Sequence, residues 1–292
     1  MLKYDYPLYR PPSEAKSLIF QVTLGCSFNV CSFCNMYRTK EYVERSWDEI
    51  RTEIDMAAKY LPDSRRIFLA DGDALNLPTE KMLQILNYIY QKFPKLERVS
   101  CYAMPTNLLE KSLEDLKKLH DSGLDMLYLG IESGSDIVLK KVTKGATAQT
   151  IIKACQKAKD GGYILSCMII LGLGGKTYTK EHIDETARVV SSISPDYLGA
   201  LTLYLEDGIR DEFLTKFKEP FIPLNDVDIL DELENLIDKI DSSRPIMFRA
   251  NHASNAYILG GMLPKEKEAL LEKISTLKEH PDICRPKEIR GF

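Results

Sequence analysis

No apolar run in this chain approaches the roughly 18–20 consecutive residues that a membrane-spanning helix requires, so a bilayer-embedded protein is not expected. The opening Met1-Leu-Lys-Tyr-Asp-Tyr6 has neither the pattern of a secretory leader nor the basic character of a transit sequence, and a cytoplasmic location is expected. Charge of one sign is missing too. Against 39 basic residues stand 43 acidic ones, a net charge of −4 with histidine neutral, which argues against a general nucleic-acid binder. There is no low-complexity tract, no long linker and no internal repeat beyond a strand–helix alternation. An even cysteine set is also absent. Seven cysteines without an export signal exclude a disulfide framework as the first reading and favour metal or catalytic use. The four histidines, His120, His182, His252 and His280, are remote from the cysteine cluster, and no second Cys-x-x-Cys occurs, which leaves little to complete a zinc site of three cysteines and one further ligand.

What is present is an ordinary globular mix, 44% hydrophobic and 28% charged, in 292 residues, enough for two domains or one large α/β barrel. Strand-like apolar runs fall at 17–25 (SLIFQVTLG), 66–71 (RIFLAD), 97–103 (ERVSCYA), 125–131 (DMLYLGI), 163–171 (YILSCMIIL) and 197–205 (YLGALTLYL). Helical segments alternate with them. Ser46-Trp-Asp-Glu49 is a capping box opening a helix to about Tyr60, Thr79 is expected to cap the next, and further helices are expected near 112–121, 135–142, 147–160 and 180–194. Six strands alternating with helices require crossovers and therefore a parallel sheet. The expected fold is α/β, a partial (β/α)6 TIM-like barrel spanning 1–208 with its N-terminal lead-in, followed by a helical C-terminal extension over 209–292 with helices near 226–241 and 264–278.

Cys26-Ser-Phe-Asn-Val-Cys31-Ser-Phe-Cys34 follows the first strand directly. Three thiolates on one loop suit one soft metal centre; a [4Fe–4S] cluster normally takes four, so three leave one iron open to a substrate or cofactor. The loop resembles that of the radical S-adenosylmethionine (SAM) enzymes, whose usual spacing is CxxxCxxC with an aromatic residue before the last cysteine. Phe33 holds that place here, while four residues instead of three separate Cys26 from Cys31.

Other segments carry the same resemblance at the expected strand ends, where barrel enzymes place their chemistry. Asp71-Gly72-Asp73 is similar to the family's Gly-Gly-Glu segment, which meets the SAM ammonium. Gly130-Ile-Glu132-Ser133-Gly134-Ser135 resembles the segment of members related to coproporphyrinogen oxidase, Elongator and the methylthiotransferases, and implies SAM contacts for Glu132 and Ser133. Gly172-Leu173-Gly174-Gly175 resembles the loop whose backbone pairs with adenine, and Lys144 stands where a basic residue can meet the SAM carboxylate.

The resemblance implies a [4Fe–4S] cluster held by Cys26, Cys31 and Cys34, reductive cleavage of SAM to a 5′-deoxyadenosyl radical that attacks a small-molecule substrate, a low-potential electron donor such as flavodoxin or ferredoxin, and sensitivity to oxygen. Within the family, the short lead-in and the lack of a second cysteine cluster argue against cobalamin-binding and auxiliary-cluster members. Candidate substrate contacts are Asn107 after the third strand and the tail segment Arg249-Ala-Asn251-His252-Ala-Ser-Asn255, in which Arg249 offers a planar fork and His252 a titratable ring. The alternative for that segment is an internally hydrogen-bonded latch. Cys101 and Cys167 read as buried small residues. Two rival functions stay open: a haem-like cofactor handler built on the same fold, and an iron–sulfur electron carrier.

Overall fold

Strands in this chain form where short, nearly continuous apolar runs can be covered on both faces. A computed structural model describes residues 2–291. The chain divides into two compact units, one of 2–29, 36–129 and 153–165, the other of 30–35, 130–152 and 166–291.

In the first unit, β1 (Leu18–Gln21), β2 (Arg66–Ala70), β3 (Arg98–Tyr102) and β4 (Leu124–Glu132, whose last three residues belong to the second unit) pair in parallel in chain order. Ile67, Phe68, Leu69 and Ala70 of β2 are all fully buried, as the unbroken apolar run requires. Helix Trp47–Tyr60 opens on the expected capping box: the Ser46 hydroxyl accepts from the Glu49 N–H at 3.3 Å and the Glu49 carboxylate accepts from the Ser46 N–H at 3.0 Å. Thr79 is the first residue of helix Thr79–Lys92 and not its cap; Pro78 holds the cap position, where its missing N–H is no loss. A short antiparallel pair, Thr23–Leu24 with Val43–Glu44, brackets the cysteine loop.

In the second unit, β5 (Ile164–Leu171, its first two residues in the first unit), β6 (Tyr197–Thr202) and β7 (Ile246–Ala250) pair in parallel, and β8 (Leu259–Leu263) adds antiparallel to β7. The helices expected in the tail occur, as Asp226–Lys239 and Lys267–Glu279. The tail is not wholly helical, however. It also holds helix Asp207–Phe217 and the strands β7 and β8, so Phe248 and Arg249 lie on a strand and not in a loop. Among the described residues no helix is long and apolar enough to cross a membrane.

Candidate cofactor site

The first unit presents the acidic segment after β2. Backbone bonds fix it against the start of the cysteine loop: the Asp71 N–H donates to Thr23 O and the Gly72 N–H to Gly25 O, both at 3.0 Å. Gly72 is required by crowding, since a Cβ there would sit 2.6 Å from the Tyr37 ring and 3.3 Å from the Cys26 Cβ. The two flanking acids part company. Asp71 is fully buried and its carboxylate is saturated by Gln21, the Gly25 N–H and Lys40. Asp73 is equally buried, accepts from the Ser27 hydroxyl through one oxygen, and has its other oxygen, Oδ1, without a hydrogen-bond partner among the described residues. Burial raises the Asp73 pKa to about 6, against the opposing pull of Ser27 and Asn107. An orphaned buried carboxylate oxygen beside Gly72 suits an ammonium ligand. Of the two acids that flank Gly72, Asp73 has the free acceptor.

Asn107 is buried and committed. Its Oδ1 caps helix Pro105–Glu110 by accepting from the Met104 N–H at 2.9 Å, and its Nδ2 donates to Asn76 at 3.3 Å. Cys101 is fully buried, and burial pushes its thiol pKa well up.

The second unit holds Cys31, Phe33 and Cys34. The Ser32 N–H donates to Val142 O at 3.0 Å, Lys216 Nζ to Val30 O at 2.9 Å, and Asn35 Nδ2 to the Glu206 carboxylate at 2.7 Å. Phe33 packs on an apolar cluster of Val138, Val142, Ile170, Leu173, Phe213 and Phe217, so the aromatic residue of the motif anchors its stretch of loop. All three loop cysteines are half-buried.

Beside Cys31 and Cys34 lies an ion pair, Lys144 Nζ to Glu132 Oε1 at 2.9 Å, nearly buried at both ends. Burial pulls the Lys144 pKa down, but the Glu132 carboxylate and the Cys31 and Cys34 sulfurs outweigh it and hold the pKa above the usual lysine value. Glu132 has φ +62°, and its carboxylate folds back over Gly130, where an added Cβ would fall 1.8 Å from Oε1. The Gly-x-Glu spacing therefore has a steric cause.

Two residues marked for SAM are turned to other partners. Ser133 is buried; its hydroxyl meets His182 Nδ1 at 2.8 Å and accepts from the Ser135 N–H at 3.0 Å. His182, which sequence reasoning passed over, also meets Ile170 O through Nε2 at 3.0 Å, and burial lowers its pKa to about 4, so it is a neutral cross-link. The Gly172 N–H, expected to face adenine, donates instead to the Glu232 carboxylate at 2.6 Å, and its carbonyl accepts from the Gly175 N–H at 3.0 Å.

Glu232 was also missed. It lies on helix Asp226–Lys239, accepts from Thr179 at 2.7 Å, and burial raises its pKa to about 7 from an ordinary 4.5. A raised carboxyl pKa contributes stability that is complete below the ordinary value and is lost as pH rises through the folded value. Glu232→Gln keeps an acceptor for Gly172 without the charge. In cluster-free protein the stability of Glu232→Gln relative to wild type is expected to rise from pH 4.5 to 7 and then level off, by roughly 3 kcal/mol at most. Urea unfolding at stepped pH measures it; a difference independent of pH would show that Glu232 does not titrate in this window.

In the tail, Asn255 and Ser254 are buried and hold the end of β6. Asn255 Nδ2 donates to Ala200 O at 2.8 Å, its Oδ1 accepts from the Thr202 hydroxyl at 2.9 Å, and Ser254 Oγ accepts from the Thr202 N–H at 3.1 Å. His252 Nδ1 meets Ser254 Oγ at 2.9 Å, and burial lowers its pKa. Arg285 donates to His252 O at 2.9 Å. This is the geometry of a latch, while Arg249 and Asn251 are exposed.

The described residues thus present a three-cysteine loop and acids at strand ends on largely parallel strands. The chain matches the model of the radical SAM superfamily over residues 20–190, more than half its length, and belongs to that superfamily. It is 21% identical over 186 residues to heme chaperone HemW of Bacillus subtilis strain 168, covering 61% of this chain and 48% of that protein. It is 25% identical over 229 residues to 4′-phospho-dehydrooxetanocin synthase of Priestia megaterium, covering 69% and 30%. The chain thus spans less than half the length of these curated relatives. Among solved structures it resembles coproporphyrinogen III oxidase (HemN) from Escherichia coli, with TM-score 0.57 and 17% identity over 76% of this chain and 52% of that one. It also resembles methylornithine synthase (PylB), with TM-score 0.53 and 18% identity over 76% and 62%. The partial-barrel α/β fold expected from the sequence is the fold these structures share with it.

Proposed function

We propose that this chain is a radical SAM enzyme in which Cys26, Cys31 and Cys34 hold a [4Fe–4S] cluster, Asp73, Glu132, Lys144 and Leu173 bind SAM, and the substrate is a small molecule. The observation that carries this reading is the buried Lys144–Glu132 pair set against Cys31 and Cys34 of a three-cysteine loop. A cluster held by Cys26, Cys31 and Cys34 with one iron open would supply redox chemistry there, passing an electron from a low-potential donor to SAM.

The chain's own residues then have distinct tasks. Asp73 Oδ1 is a buried acceptor for an ammonium group. Lys144 is a cation held near the thiolates for a carboxylate, and Glu132 keeps it charged and can itself meet hydroxyl or ammonium groups. Phe33 fixes its part of the loop. We assign 1–208 to the catalytic core and 209–292 to an extension, with a flavodoxin- or ferredoxin-like donor and a cytoplasmic setting. Arg249 and Asn251 are the exposed tail groups left for substrate.

The test is anaerobic reconstitution followed by addition of SAM and dithionite. About four iron and four sulfide per chain and formation of 5′-deoxyadenosine are expected; SAM that stays intact on a loaded cluster would overturn the reading. Glu132→Ala should leave the cluster spectrum intact and weaken SAM binding about ten- to hundredfold, the worth of a hydrogen bond to a charged group. Equilibrium dialysis checks this, and unchanged affinity would remove Glu132 from the SAM set. Similarity to a protein named as a heme chaperone favours a second reading, cofactor handling. Stoichiometric haem binding with no substrate turnover in an anaerobic extract would decide for it.

A further inference from the structure

We propose that Asp71 and Lys40 form a buried clamp across the two ends of the cysteine loop and hold Cys26 in place for the cluster; both are positioning residues, and the inference rests on the cluster assignment above. Asp71 sits where the sequence suggests a SAM contact, yet its carboxylate has no room for one. Oδ1 accepts from Gln21 Nε2 at 2.9 Å, and Oδ2 accepts from the Gly25 N–H at 3.0 Å and from Lys40 Nζ at 2.9 Å, all away from solvent.

The two partners on Oδ2 come from opposite ends of one loop. Gly25 immediately precedes Cys26, and its carbonyl is held as well, by the Gly72 N–H at 3.0 Å. Both polar backbone groups at the entry to Cys26 therefore end on residues 71 and 72. Lys40 closes the far side. Its side chain is only 5% exposed, and Nζ also reaches Asp5, at 2.7 Å to the carbonyl and 2.9 Å to the carboxylate. Between the ends, Asn29 Nδ2 donates to Tyr37 O at 2.8 Å and to Lys40 O at 3.3 Å, so the loop is also tied to itself.

The physical need is entropic. An unpinned loop samples many backbone states, and ordering it on metal uptake would weaken binding by that cost. This loop has one residue more between Cys26 and Cys31 than the usual family spacing, and so more freedom to remove. A carboxylate shared by both ends fixes the entry to Cys26 before iron arrives.

The experiment uses reconstituted full-length Lys40→Met, Lys40→Arg and Asp71→Asn. Glu14→Ala, which breaks another buried ion pair of the same unit, serves as the stability control. Iron release to a chelator is followed anaerobically, with the electron paramagnetic resonance spectrum of the reduced cluster and a melting curve for each variant. Lys40→Met and Asp71→Asn are expected to release iron about ten- to hundredfold faster and to broaden the spectrum, as losses of partners that orient metal ligands do. Lys40→Arg should restore much of the retention, and Glu14→Ala should melt earlier but release iron at the wild-type rate. Wild-type release from Lys40→Met and Asp71→Asn would overturn the clamp, and so would equally fast release from Glu14→Ala. Wild-type protein that takes up no cluster would instead sink the assignment on which the clamp rests.

Discussion

Cys26→Ala, Cys31→Ala and Cys34→Ala are each expected to yield folded protein with no [4Fe–4S] cluster and no SAM cleavage above background. Folding should survive because the three thiols are half-buried loop groups and not core residues. Removing one methylene-sized polar group there creates no large cavity, so the stability change should stay within about 1 kcal/mol. The cluster should not survive. Three thiolates already leave one iron open, and two cannot hold the remaining three irons. Cys155→Ala and Cys284→Ala are the controls. Cys155 is fully buried and Cys284 lies far along the tail, so both should retain iron, with Cys155→Ala melting slightly earlier. Iron and sulfide analysis with the reduced-state spectrum checks all five. A Cys34→Ala protein that kept four irons would remove the loop from the metal, and tight stoichiometric zinc in protein purified without air would identify a different centre.

The strands and helices of the core were legible because their signals are local. After Arg66 the run IFLA is apolar without a break, and Ser46-x-x-Glu49 caps its own helix, whatever lies elsewhere. The tail strands β7 and β8 were not legible for the same reason. IMFRA is interrupted by an arginine and LGGML by two glycines, and each is a strand only because a neighbouring strand offers hydrogen bonds. At the candidate site, residue types were readable and directions were not. Asp71 and Asp73 look alike in sequence, but Gln21, Gly25 and Lys40 claim the first and leave an oxygen of the second without a partner. Ser133 looked outward until His182, 49 positions away, is seen to take its hydroxyl. Gly172 looked like a free backbone donor until Glu232, 60 positions on, is seen to accept from it. Such partners have no signature in a single sequence, because nothing local requires them.

Glu14→Ala is expected to cause a large loss of stability without loss of the cluster. The Glu14 carboxylate is fully buried at the N-terminal side of β1 and β3. Its Oε1 accepts from Arg98 Nη2 at 2.5 Å and from the Tyr128 hydroxyl at 2.6 Å, and Oε2 accepts from Ser17. Ser13 extends the set, 2.8 Å from the Tyr128 hydroxyl. The pair is worth little against an apolar replacement, but breaking it strands the Arg98 guanidinium and leaves the Tyr128 hydroxyl with Ser13 alone, which costs about 3–5 kcal/mol. For a chain of this size the melting temperature should fall by roughly 10 °C. Replacing both partners, Glu14→Met with Arg98→Met, removes the stranded charge and should cost less than Glu14→Ala alone, a coupling that a double-mutant cycle isolates. The network lies where β1 and β3 begin, whereas the cysteine loop follows the end of β1. Iron content per folded chain should therefore match wild type, and a melting curve beside an iron assay separates the two effects. A Glu14→Ala protein with unchanged melting would mean that the carboxylate is not the partner that keeps Arg98 and Tyr128 folded.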